Sequence, residues 1–108
     1  APYNAQVSYT PVDSGLPFAT DVEQDGAQIT LSAMAQAWGI SPVQTGMGGS
    51  IPFIADLKEN FPDAQILVTG VEDPDTRAHS ANESLYVPDF KRGILAEALI
   101  LSALSRSK

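Results

Sequence analysis

Apolar side chains recur at helical spacing in three places along the chain and alternate in one. Ala27, Leu31, Met34 and Trp38 fall at i, i+4, i+7 and i+11, which puts them on one face of a helix, and Gly39 follows as a stop. Ile54, Leu57 and Phe61 mark a second helix, with Ser50 as its cap, Pro52 in its first turn and Phe61-Pro62-Asp63 at its end. Phe90, Ile94, Ala98, Leu101 and Leu104 define a long C-terminal helix that starts near Pro88-Asp89. Between residues 5 and 12, Ala5, Val7 and Tyr9 alternate with Gln6, Ser8 and Thr10, the pattern of a half-buried strand, which Pro11 ends or places at an edge. Residues 43–45 form a short second strand, and residues 65–69, centred on Ile66-Leu67-Val68, a third.

The expected order is therefore βαβαβα. Short apolar strands alternating with helices imply an α/β fold with a parallel sheet covered on both faces. Right-handed crossovers then put the loops after the second and third strands at the carboxyl ends of the sheet, where such folds bind ligands. The first strand stands apart, because the connector from Pro17 to Gly26 separates it from the rest. It is expected to belong to a different sheet.

Composition narrows the function. The 108 residues suffice for one modest core, and 44% of them are hydrophobic, an ordinary globular value. Six Lys+Arg against thirteen Asp+Glu, a net charge of −7, cannot supply the phosphate contacts of a nucleic-acid site or an anionic-membrane site. No apolar run reaches the roughly 20 residues of a membrane span, and no secretory signal is visible. The chain has no cysteine, which excludes disulfides, thiolate zinc sites and a cysteine nucleophile, and fits a reducing cytoplasm.

Two loops carry the chemistry. Gly46-Met47-Gly48-Gly49-Ser50 opens a helix, and free N–H groups there beside a serine hydroxyl favour a carboxylate or phosphate. A tight strand-to-helix turn is the plainer reading of the same residues. The pattern is neither a Walker loop, which needs Gly-Lys-Ser/Thr, nor a dinucleotide fingerprint, since Ile51 holds the third glycine position. The second loop, from Glu72 to Glu83, contains the one histidine, His79, which is either a metal ligand or an ordinary surface histidine. A calcium loop beginning at Asp73 fails, because Ala78 and Ser84 stand where a glycine and a terminal acid are required, so a turn built on Asp73-Pro74 is expected. Asn82-Glu83-Ser84 matches a glycosylation sequon, discounted for want of a signal.

Gly48-Gly49-Ser50-Ile51-Pro52, then Ala78-His79-Ser80-x-Asn82-Glu83, then a long helix, resembles the C-terminal end of the M20 family of zinc metallopeptidases, in its dipeptidase (carnosinase-like) branch. The resemblance covers essentially the whole chain. It implies an α/β catalytic domain with two zinc ions and an inserted lid domain that often dimerises, which leaves a homodimer open. It implies hydrolysis of short peptides through a metal-activated water. His79 would be a zinc ligand, and Gly48, Gly49 and Ser50 would bind the substrate's carboxylate. Residues 1–16 would be the last strand of the lid, and residues 17–108 the C-terminal part of the catalytic domain. Many relatives carry Arg or Glu before Gly-Gly-Ser, where this chain has Gly46 and Met47. The other metal ligands and the catalytic glutamate would lie upstream, so no catalytic residue is expected in this segment. Beginning at Ala1, the chain is expected to be an expressed fragment or proteolytic remnant, inactive alone and without tight zinc binding. Two alternatives stand beside this reading: an M20-type amino-acid deacylase or desuccinylase, and a non-catalytic α/β module that binds small anions.

Overall fold

The computed structural model describes residues 2–12, 17–46 and 51–106. Its regular elements are a 3-10 turn at Pro2–Asn4 and the α-helices α1 (Asp25–Trp38), α2 (Pro52–Asn60) and α3 (Val87–Arg106). Each helix carries local signals that account for its ends. Gly39 closes α1 in the left-handed region at φ 73°, and its N–H donates to the Ala35 carbonyl at 2.9 Å. An alanine there would meet no neighbour, but its Cβ would cost about 1 kcal/mol in that conformation. Pro52 occupies the first turn of α2, where its missing N–H forfeits nothing. The cap position falls on Ile51, one residue beyond the Ser50 that the pattern suggests, and Ile51 offers no side-chain bond. Lys58 donates to the Pro62 carbonyl at 2.6 Å and ties off the other end. Asp89 sits in the first turn of α3, paired with Arg92 at 2.7 Å, and Arg106 in the last, both favourable to the helix dipole.

The expected parallel sheet is absent: among the described residues there is no strand at all. Residues 5–12, 43–45 and 65–69 run without regular structure. Among the described residues, no backbone hydrogen bond joins any of them to another segment. A strand exists only where its N–H and C=O groups meet a neighbour's, and alternation of side chains does not supply that neighbour. Side chains hold residues 65–69 instead. Thr20 Oγ1 donates to the Ile66 carbonyl at 3.1 Å, and Thr69 Oγ1 to Glu97 Oε1 at 3.0 Å. The N-terminal segment expected to be a lid strand is unpaired and exposed, Tyr9 at 87%. The α/β, βαβαβα expectation is therefore replaced by a helical architecture in which α1 packs directly on α3.

That contact is made of small residues. Ala27, Thr30 and Ala33 of α1 and Ala96 and Ile100 of α3 are the buried ones. Thr30 Oγ1 donates to the Gly26 carbonyl at 2.9 Å, so its burial leaves no hydroxyl unsatisfied. Gly93 lets residue 71 approach α3: a Cβ there would lie 3.0 Å from Val71 Cγ1. The apolar positions that announce α3 are not the buried ones. Ile94 is 56% exposed and Leu101 68%, with Phe90 also exposed.

The chain is under-packed for its length. Its radius of gyration is 18.1 Å, against about 13 Å for a compact domain of this size. Its accessible surface is 8999 Å², roughly 3,000 Å² more than a folded monomer of its mass exposes. Among the described residues no helix is long and apolar enough to cross a membrane.

Candidate metal-ligand loop

The long polar loop between residues 72 and 86 is ordered by its own short polar side chains. Asp73 Oδ1 accepts from the Asp75 N–H at 2.7 Å, and the Asp73 carbonyl from the Thr76 N–H at 3.1 Å. This is the Asp73-Pro74 turn that the sequence suggests. Thr76 Oγ1 accepts from the Asp73 N–H at 2.9 Å. The chain then passes over a tip and returns, and the Ser84 N–H donates to the Thr76 carbonyl at 3.0 Å.

His79 stands at that tip, exposed, with no hydrogen-bond partner among the described residues. Its φ is 62°, and Arg77 and Asn82 share the left-handed region at 56° and 59°. Each such non-glycine residue costs about 1–2 kcal/mol, least for Asn. The Arg77 carbonyl accepts both the N–H (3.1 Å) and the hydroxyl (2.6 Å) of Ser80, which offsets part of that cost. The geometry presents an imidazole outward on a tight turn, so it can supply one metal ligand. Among the described residues no three His, Asp or Glu side chains come together in a group that could hold a metal ion. His79 fits as one member of a ligand set, and the described residues do not complete the set.

Gly48, Gly49 and Ser50 lie outside the described residues. Their flanks, Gly46 and Ile51, line an open apolar cavity of about 800 Å³ over α1, together with Leu31, Met34 and Leu67. A smaller cavity of about 370 Å³ lies between α1 and α3, walled by Trp38, Phe90, Ile94 and Glu97. His79 lines neither of them. Of the two residues that close the loop, Ser84 entered the sequence reading only as a calcium-loop mismatch and a sequon position, and Thr76 did not enter it. The signal for Thr76 was a hydroxyl residue three positions after Asp73, the usual spacing of a side-chain-closed turn.

The chain is similar to a cysteinylglycine-S-conjugate dipeptidase of Corynebacterium striatum, with 32% identity over 102 residues. That similarity takes in 94% of this chain but 22% of the relative, so the chain spans about a fifth of the length of the curated protein it matches. No family model matches the chain, and no solved structure does.

Proposed function

We propose that this chain is a segment of a larger M20-type zinc dipeptidase, a hydrolase of short peptides, and that it contributes one metal ligand and the carboxylate-binding turn. The observation that carries the reading is the likeness to a dipeptidase along 94% of this chain. It supports a dipeptidase parent over a deacylase or a free-standing anion-binding module. The surplus of roughly 3,000 Å² of surface supports a larger whole too, since a folded monomer of this mass leaves that much less exposed.

His79 would hold zinc through one ring nitrogen and leave the other to donate to a carboxylate or carbonyl that fixes the ring. Zinc, when bound, supplies a nucleophilic water at neutral pH and polarises the peptide carbonyl. Gly48, Gly49 and Ser50 would bind the substrate's terminal carboxylate through backbone N–H groups and the Ser50 hydroxyl, just ahead of α2. This binding orients a dipeptide and selects for a free C-terminus. The remaining ligands and the general base would come from upstream sequence.

The test is hydrolysis of dipeptides by the longer protein and by the 108-residue chain alone. The longer protein should turn over dipeptides, lose activity to a chelator and regain it with zinc. The chain alone should show none under either condition. Chelator-sensitive turnover by the chain alone would mean that the chemistry has been misassigned.

A further inference from the structure

Thr76 is 4% exposed at the neck of a loop whose other residues, the half-buried Asp73 apart, are exposed. Its hydroxyl oxygen, its N–H and its carbonyl are all engaged. The hydroxyl oxygen accepts from the Asp73 N–H, its own N–H donates to the Asp73 carbonyl, and its carbonyl accepts from the Ser84 N–H. Ser84 Oγ adds a bond to the Asp75 carbonyl at 3.3 Å. The incoming and outgoing arms of the loop are thus clasped together at Thr76 and Ser84. Arg77, His79 and Asn82, all left-handed, lie inside the clasp. L-residues, unlike achiral glycine, disfavour that region and leave it when nothing holds them there.

We propose that Thr76 is a positioning residue. With Ser84 it latches the neck of the 77–83 turn and so holds the His79 backbone in the left-handed conformation that presents its imidazole outward. This rests on the reading of His79 as a metal ligand. The latch acts through hydrogen bonds to the backbone, so the hydroxyl of Thr76, and not its bulk, is what the turn requires. Thr76→Val keeps the shape and removes the acceptor, stranding the Asp73 N–H. Thr76→Ser keeps the acceptor.

The experiment uses NMR of the isotope-labelled longer protein, reading the Cα and Cβ shifts and the HN–Hα coupling of His79, assigned by the signals that His79→Ala removes. Thr76→Val should move these values out of the left-handed range while the signals of α1 and α3 stay in place. Thr76→Ser should retain them. Ser84→Ala, which leaves Thr76 untouched, should shift the same signals in the same direction by less. This second variant decides the matter if Thr76→Val fails to fold. His79 signals unchanged in both Thr76→Val and Ser84→Ala would overturn the latch. A second readout is zinc content in the longer protein, which Thr76→Val should lower several-fold and Thr76→Ser should restore. If Thr76→Val relaxes the turn yet zinc content is unchanged in that variant and in His79→Ala, the latch stands and the ligand reading falls.

Discussion

His79→Ala, made in the longer protein, is expected to lower kcat about 100-fold or more, because loss of an outer-shell partner alone costs roughly 10- to 100-fold and loss of the ligand itself costs more. The imidazole sits on an exposed turn, outside the α1–α3 contact that forms the core. Its loss should therefore leave the melting temperature of the metal-free protein within a degree or two of the parent. Zinc content should fall in parallel with turnover, and KM should change less than kcat, since the residue is assigned to the metal and not to the substrate's terminus. Steady-state kinetics with elemental analysis of the same samples check this. Near-normal turnover with full zinc would remove His79 from the site.

Ser50→Ala should show a different signature. A hydroxyl donating to a carboxylate is a charge-assisted hydrogen bond worth about 1.5–3 kcal/mol. Its removal should lower kcat/KM roughly ten- to a hundredfold for dipeptides with a free carboxylate. C-terminally amidated substrates lack the charge and should lose far less. The comparison of the two substrate series, each measured on parent and variant, is the check. Equal losses in both would show that Ser50 contributes only to the turn ahead of α2.

The helices were legible because their signals are local. A 3.6-residue apolar period, a glycine at Gly39, a proline at Pro52 and an acid at Asp89 act within one or two turns of themselves. The strands were not, because pairing is a relation between segments. Residues 5–12 and 65–69 have strand-like side-chain patterns, but nothing in a pattern states which backbone will lie alongside. The face of α3 was misleading for a related reason. Phe90, Ile94 and Leu101 form the more conspicuous apolar stripe, yet the residues of α3 that are buried are Ala96 and Ile100, and Gly93 makes room for Val71. Small residues carry little hydrophobic signal and still decide where two helices meet.

The candidate loop was legible in part. His79 stood out as the one imidazole, and the Asp73-Pro74 turn was readable from its chemistry. The left-handed backbone at Arg77, His79 and Asn82 was not, since no glycine marks it. Nor was the role of Thr76, whose burial depends on how the loop closes at Ser84. Gly48, Gly49 and Ser50 lie outside the described residues.

The most direct test of the central claim, that this chain supplies one part of a two-zinc peptidase site, is metal stoichiometry. Zinc per chain should be measured after dialysis on the 108-residue segment and on the longer protein that contains it. The account predicts no tightly held zinc on the segment, because a single imidazole is far short of the donor set that zinc requires. It predicts two zinc ions per longer chain, with fewer in His79→Ala. A longer protein that hydrolyses dipeptides with no bound metal, or a segment that holds zinc tightly by itself, would contradict it.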